Sequence, residues 1–261
     1  MTIRVGTSGF SYQDWKGTFY PEGLPDRDML SYYAKHFSTV EINSTFYRVP
    51  GPETFVRMQK KVPADFCFVV KASKALTHEV SEESEEVFRR FCEALKPLLD
   101  AGQLGCVLAQ FPWSFRNLPA NRAYLQQLPD RLQGIPTVVE LRNRDWVAPE
   151  SFALLRDAGL GFCCVDEPRL EGLMPPLAVA TSPIGYVRFH GRNAQKWWQH
   201  EAAWERYDYL YSEEELREWV APIGELARQT ETTFVFFNNH YQGKAGRNAQ
   251  MLRELLLPVF P

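Results

Sequence analysis

The chain has 261 residues, of which 45% are hydrophobic and 23% are charged, and its formal net charge is −3. This composition is typical of a globular protein, and it excludes a chain that holds nucleic acid through a general basic excess. Five cysteines occur without a CxxC motif, so we expect reduced thiols. The sequence starts without a secretion-signal pattern, and no apolar run reaches the ~20 residues of a membrane span. These features predict a cytoplasmic protein with no membrane partner.

Strand-like and helix-like segments alternate along the chain. Strand candidates, rich in Val, Phe, Thr and Ile, fall at 3–10, 39–47, 66–73, 104–112, 137–142, 161–166, 186–192 and 233–240. Helical patterns lie between them, at 28–36, 52–61, 82–100, 120–132, 149–158, 213–229 and 245–256. Eight such units without a GxGxxG motif favour an α/β fold, a single (β/α)8 TIM-type barrel over 1–261, rather than a doubly wound sheet. Four prolines in 167–183 predict that the sixth unit is irregular, with a short or missing helix.

Side-chain alternation separates the polar residues of the strands. One face of a barrel strand meets the helices and must be apolar, while the other faces the barrel interior. Val40 and Ile42 suit the helix face, so Glu41 and Asn43 should point inward. The same argument, with position at the strand end, adds Lys71, Gln110, Glu140, Arg142, Asp166, Arg188, His190 and Arg192. Because barrel active sites lie at the carboxyl ends of the strands, we predict a polar pocket there.

A structural interpretation of these charges stays open. The carboxylates of Glu41, Glu140 and Asp166 could simply neutralise the cations, since buried charges must be paired. Arg188 lies deeper in its strand than the other cations, and we expect it to be structural.

Aromatic side chains are concentrated in the segments that follow strands. Six of the seven tryptophans lie there, and the segment 193–212 is the longest and the most aromatic. Aromatic faces around a polar pocket suit sugar rings or nucleobases, so we predict ligand contacts for Trp197 and Tyr207. Anchoring of the loops to the barrel is the alternative role for these rings.

The segment after the eighth strand is rich in glycine and basic residues and leads into a helix. Free amides at a helix N-terminus bind anions, and barrels often place a phosphate at this point. We therefore predict ligand contacts for Asn238, Asn239, Lys244 and Arg247. A plain glycine turn with solvated bases is the alternative.

Seven short motifs occur in order along the chain: GTSGFSY at 6–12, EINSTFY at 41–47, FVVK at 68–71, QFP at 110–112, ELR at 140–142, RFHGR at 188–192 and FFNNH at 236–240. This set resembles the motifs of the YecE-like family, the domain of unknown function 72. The resemblance implies a TIM-type barrel and brings no established reaction or cofactor. Phe10 stands where the family more often has Trp.

These patterns favour a pocket that binds or processes a phosphorylated or otherwise anionic small molecule or a nucleotide. Lys71, Arg142 and Arg192 would hold the anion, because guanidinium groups match phosphate geometry. The sequence leaves open whether the protein is an enzyme. If it is one, we expect a hydrolase with Glu41 or Glu140 as the general base. His190 would then be its acid–base partner or an electrophile.

Three other functions stay open. A metal-dependent phosphodiesterase or endonuclease-like hydrolase would use a divalent cation at Glu41, Glu140, Asp166, His190 and His240. Against it, no HxH or HExxH spacing occurs and the arginines would repel a cation. The sequence indicates no metal-ligand set and no other cofactor, and it leaves a divalent metal possible. A glycoside hydrolase would use the two glutamates as its carboxylate pair. A non-enzymatic module for single-stranded nucleic acid or a protein partner would use the aromatic loops, although the net charge disfavours backbone binding.

Overall fold

The structure is a computed structural model that describes residues 1–81 and 84–260. Its strands are β1 (Thr2–Thr7), β2 (Thr39–Ile42), β3 (Cys67–Lys71), β4 (Leu104–Gln110), β5 (Thr137–Glu140), β6 (Gly161–Asp166), β7 (Ile184–Phe189) and β8 (Thr232–Phe237). Its α-helices are α1 (Met29–Tyr33), α2 (Pro52–Gln59), α3 (Ser84–Asp100), α4 (Pro119–Arg131), α5 (Pro149–Asp157), α6 (Glu213–Arg228) and α7 (Lys244–Leu256).

The strands form one parallel sheet in the order β1-β8-β7-β6-β5-β4-β3-β2. The two end strands meet at their carboxyl ends, where Ser8 bridges to Glu41 and the amide of Gly9 donates to the carbonyl of Glu41 at 2.8 Å. The sheet is thereby nearly closed, and the predicted (β/α)8 TIM-type barrel is confirmed.

A side chain from α1 joins β1 and β2 at an earlier point along the two strands. The hydroxyl of Tyr33 accepts a hydrogen bond from the Thr7 amide at 2.9 Å and donates to the Thr39 carbonyl at 3.1 Å. Gly6 permits the close approach, because a Cβ at this position would lie 2.4 Å from the Thr39 oxygen. The Tyr33 hydroxyl thus joins backbone groups of β1 and β2 that do not bond each other directly.

The sixth unit lacks its helix, as the prolines predicted. Residues 167–183 connect β6 to β7 as irregular chain. Side chains secure this connection: the Met174 amide donates to the Glu167 carboxylate at 2.9 Å, and the Thr181 hydroxyl donates to the Leu160 carbonyl at 2.6 Å.

Several element boundaries differ from those predicted. The second strand ends at Ile42 rather than at residue 47, because Ser44–Phe46 form a 3-10 turn. The first helix is shorter than predicted, at Met29–Tyr33. The predicted start of the third helix at Glu82 lies outside the described residues. None of the described helices is long and apolar enough to cross a membrane.

We predict that Tyr33→Phe lowers the free energy of unfolding by about 2 kcal/mol, because it leaves a buried amide and a buried carbonyl without a partner. Urea denaturation would measure the change. Tyr32→Phe is the matched control, since its ring is only partly buried and its hydroxyl has no partner among the described residues. Equal stability of the two variants would contradict a role of the Tyr33 hydroxyl in closing the barrel.

Candidate functional site

The carboxyl ends of the strands surround a cavity of about 710 Å³. Four cationic residues line it: Lys71 at the end of β3, Arg142 just after β5, Arg188 in β7, and Arg206 in the segment after β7. None of the described residues that line the cavity is Asp or Glu. The other lining residues are aromatic, amide, imidazole or apolar: Tyr12, Asn43, Phe46, Tyr47, His78, Gln110, Pro112, Trp113, Leu173, Trp197, Trp198, Trp204, Tyr207, Asn238 and His240.

The two predicted catalytic carboxylates are buried and paired through one guanidinium group. Arg188 lies between them, with Nη2 at 2.6 Å from Glu41 Oε1 and Nη1 at 2.5 Å from Glu140 Oε2. The Tyr186 hydroxyl donates to the second oxygen of Glu41 at 2.6 Å, and Arg142 contacts the second oxygen of Glu140. Burial alone would raise the pKa of Glu140, but the cations Arg142 and Arg188 outweigh it and hold that pKa well below its usual range.

His190 is fully buried beside this network. Its Nδ1 lies 3.2 Å from the amide nitrogen of Asn238, and its Nε2 lies 3.2 Å from Glu140 Oε1. Because an amide nitrogen can only donate, Nδ1 accepts, and Nε2 carries the proton that is donated to Glu140. Burial, and then the charge of Arg142, lowers the pKa of His190 to about 3. The neutral ring therefore orients Glu140 without lining the cavity.

Lys71 has an unusual setting for a lysine in a barrel mouth. Its Nζ donates to Gln110 Oε1 at 2.8 Å and lies 4.2 Å from the centre of the Phe46 ring. The amide nitrogen of Gln110 in turn donates to the Phe111 carbonyl at 2.7 Å, which fixes the orientation of the amide. The nearest acceptor of this ammonium group is therefore a neutral oxygen rather than a carboxylate.

The charges around Lys71 disfavour its protonated form. Burial, and then the guanidinium groups of Arg188 and Arg142, lower the pKa of Lys71 to about 7. Glu140 and Glu41 act in the opposite direction but do not compensate. The amine consequently changes charge near neutral pH.

Aromatic rings form the walls and the rim. Trp113 and Trp198 pack edge to face with centroids 6.1 Å apart, and 42% and 52% of their surfaces stay exposed. Deeper in the wall, Tyr12 stacks on His240 at 4.7 Å. Large flat apolar faces are thereby presented at the entrance to a cationic cavity.

Seven predicted ligand-binding residues do line the cavity: Asn43, Lys71, Gln110, Arg142, Trp197, Tyr207 and Asn238. The predicted catalytic residues Glu41, Glu140 and His190 share one buried cluster, which reaches the cavity wall through Arg188 and Arg142. The catalytic and ligand-binding roles of all these residues stay predictions.

Asp166 and Arg192 face away from the cavity, which corrects their predicted position. Arg192 donates to both oxygens of Asp166 at 2.9 and 2.7 Å, and Trp219 of α6 donates to the same carboxylate at 2.8 Å. In β6 it is Cys163, 3.9 Å from Glu140, that faces inward, so Asp166 three positions later faces outward. Gly191, at φ 94°, breaks the alternation of β7 before Arg192. This ion pair fastens α6 to the barrel.

The segment after β8 also differs from its predicted role. Asn239 is fully buried and donates to the Tyr209 carbonyl and to Asn248, both at 2.9 Å. At the turn that precedes α7, the backbone amide of Gln242 donates to the Asp14 carboxylate at 2.7 Å. A carboxylate of the same chain thus occupies the place predicted for an anionic ligand.

The two basic residues of this segment lie outside the cavity as well. Lys244 is ion-paired with Asp208, and Arg247 is exposed on α7. Neither they nor Asn239 line the cavity. The segment after β8, which was predicted to bind an anion, therefore packs the turn before α7 against other parts of the chain.

Four of the wall residues that the sequence did not predict are Tyr12, Phe46, His78 and Arg206. Tyr12 and His78 lie in connections after strands, where side-chain alternation gives no direction. Phe46 lies in the 3-10 turn that replaces the predicted end of the second strand. Arg206 lies in the segment 193–212, whose aromatic residues alone entered the prediction. The basic residues of that segment were a signal in the sequence that could have indicated a further cationic wall residue. Arg188 was expected to be structural, and it both bridges the carboxylates and lines the cavity.

We predict that Arg188→Met lowers the free energy of unfolding by about 3–5 kcal/mol, because it leaves two buried carboxylates without their shared partner. Urea denaturation at neutral pH would measure the loss. The control is Arg217→Met, which removes an exposed pair with Glu213 and should change stability little. Similar small effects in both variants would contradict the buried network.

Comparison with known proteins places the chain in a family. Residues 4–259 match the family described as "Protein of unknown function DUF72". The chain is 34% identical to the UPF0759 protein YunF of Bacillus subtilis, over 97% of this chain and 94% of that protein. A DUF72 family protein of Thermotoga maritima superposes with a TM-score of 0.91 at 41% identity, covering 98% of this chain and 100% of that one. One from Enterococcus faecalis superposes with a TM-score of 0.87 at 28% identity, covering 98% and 96%. The chain therefore belongs to the DUF72 family, as its ordered motifs predicted.

Proposed function

We propose that the cavity binds an anionic small molecule, such as a sugar phosphate or a nucleotide. The observation that carries this proposal is the charge of the wall: four cationic residues line the cavity, and none of its described lining residues is a carboxylic acid. A low-dielectric cleft lined by one sign of charge concentrates ligands of the opposite sign.

Unsatisfied polar atoms of the lining residues support this proposal. Arg188 Nε, Arg206 Nε and Asn43 Oδ1 are buried and have no hydrogen-bond partner in the described part of the chain. Buried polar atoms are normally paired, so a ligand with acceptor oxygens and at least one hydroxyl donor would complete them. Phosphorylated polyols and sugars carry both kinds of group.

The exposed rims of Trp113 and Trp198 suit the uncharged part of such a ligand. A sugar ring or a base can stack on these faces while the anionic group lies among the cations. The near-neutral net charge of the whole chain leaves this local arrangement as the source of anion recognition.

The other functions receive less support. Glu41 and Glu140 share one guanidinium and do not line the cavity, so neither is placed to act on a glycoside. A divalent cation at these carboxylates would have to compete with Arg188 and Arg142 for the same oxygens. Among the described residues, no group of three or more His, Cys, Asp or Glu is arranged to hold a metal ion.

We predict that Arg206→Gln weakens the binding of a sugar phosphate by about tenfold, through loss of one charge-assisted contact. Arg206 stacks over Trp197 at 5.4 Å and has no ion pair among the described residues, so the change should not disturb the buried network. Calorimetric titration with ribose 5-phosphate and a nucleoside monophosphate would measure the affinity. The control is Arg247→Gln, on α7 outside the cavity; an equal loss there would contradict the proposed site.

We also predict that the affinity for sulfate, whose charge is constant, falls as the pH rises from about 6 to about 8.5. A bound anion favours the charged form of Lys71, and that form is lost as the pH passes about 7. Glu167, whose pKa burial raises to about 7, titrates in the same window. The variant Lys71→Met separates the contributions of Lys71 and Glu167. Its affinity for sulfate should be lower and should change much less with pH. A pH profile equal to that of the original chain would contradict the role of Lys71.

A further inference from the structure

We propose that Lys71 is a nucleophile that forms an imine with the carbonyl carbon of an anionic aldehyde or ketone. The substrate class is a phosphorylated sugar in its open-chain carbonyl form, or a 2-oxo acid. This inference rests on the proposed function, because it narrows the anionic ligand to one with a carbonyl group.

The surroundings of Lys71 differ from those of a lysine that serves only as a charge. Lys244 is ion-paired with Asp208, and Lys74, three residues after Lys71, is paired with Glu79 at 2.9 Å. Lys71 instead donates to the neutral oxygen of Gln110 at 2.8 Å. A carboxylate partner would hold the proton on the amine, whereas an amide oxygen lets it leave.

The amine is also held in place from both ends. The Lys71 backbone is in the ladder of β3 opposite Leu108, and the Thr45 hydroxyl donates to its carbonyl at 2.6 Å. Its Nζ lies over the face of Phe46, 4.2 Å from the ring centre. An amine fixed at the end of a barrel strand, in the wall of an open cavity, is positioned for attack on a bound ligand.

Charge supports the same role. Arg188 and Arg142 are close enough to Lys71 to lower its pKa, with burial, to about 7. The neutral form of the amine is then present near neutral pH, and only this form has a lone pair to donate. Desolvation beside other cations is a known means of activating a lysine for Schiff-base chemistry. The guanidinium groups would meanwhile hold the anionic group of the substrate.

The step balances without a co-reactant. The Nζ lone pair forms a bond to the carbonyl carbon, the carbonyl π pair moves to oxygen, and a proton passes from nitrogen to that oxygen. The carbon–oxygen bond then breaks, the hydroxyl takes a proton from solvent and leaves as water, and the nitrogen lone pair forms the carbon–nitrogen double bond. Nothing is oxidised or reduced.

Reductive trapping tests the proposal on the whole chain. The protein is incubated with dihydroxyacetone phosphate, ribose 5-phosphate or pyruvate, and borohydride converts any imine to a stable secondary amine. Peptide mapping by mass spectrometry then locates the adduct. We expect about tenfold more adduct at Lys71 than at Lys74, because the neutral amine is the nucleophile. Lys71→Met should lose this adduct, and Lys74→Met should keep it.

A ligand without a carbonyl separates this proposal from the proposed function. Glycerol 3-phosphate should raise the melting temperature and suppress trapping at Lys71. If it stabilises the protein and no carbonyl compound labels Lys71, the imine proposal is wrong and anion binding stands. If neither stabilisation nor labelling occurs, both are wrong. Labelling spread over the exposed lysines also overturns the imine proposal, as does labelling that is unchanged in Lys71→Met. If Lys71→Met does not fold, peptide mapping of the chain without substitutions still shows whether the label lies on Lys71 or on the exposed lysines.

Discussion

The guanidinium group of Arg188 lies between the carboxylates of Glu41 and Glu140 in the interior of the barrel. These residues belong to β7, β2 and β5, so one side chain connects strands from different sides of the sheet. Removal of any one partner would leave a buried charge uncompensated, which is far more costly than the loss of a surface pair. The arrangement of the barrel mouth depends on this interaction.

The same pairing determines the charge of the cavity. The two glutamates are paired with Arg188 and Arg142 and do not line the cavity, so no acidic group in the described part of the wall offsets Lys71 and Arg206. His190 is held neutral beside Glu140 and adds no charge of its own. The buried ion-pair network that stabilises the barrel therefore also leaves the cavity wall cationic. The structural and the functional interpretation of these charges do not exclude each other.

The sequence predicted the fold and the location of the polar residues where strand alternation applies. Glu41, Glu140 and Arg188 face inward because their neighbours are apolar residues that pack against helices. Asp166 was placed from its position at a strand end, whereas alternation from Cys163 turns it outward. Alternation itself failed at Arg192, because Gly191 turns the backbone out of its extended form after β7 ends. No periodicity describes the backbone beyond such a point.

The segment after β8 shows what a sequence pattern leaves out. Its glycines and bases matched an anion-binding turn, but Gly246 packs against Phe19, and Asp14 binds the preceding turn. Both partners come from residues more than two hundred positions earlier in the chain. Only the closure of the barrel brings them there, so local composition could not reveal that the turn was already occupied.

The most direct test of a cationic cavity is an anomalous diffraction measurement on a crystal soaked with tungstate, a heavy analogue of phosphate. We predict a tungstate peak inside the cavity, in contact with Lys71 and at least one of Arg142 and Arg206. A cavity without a peak, with tungstate bound instead at the N-terminus of α7 near Arg247, would contradict this prediction.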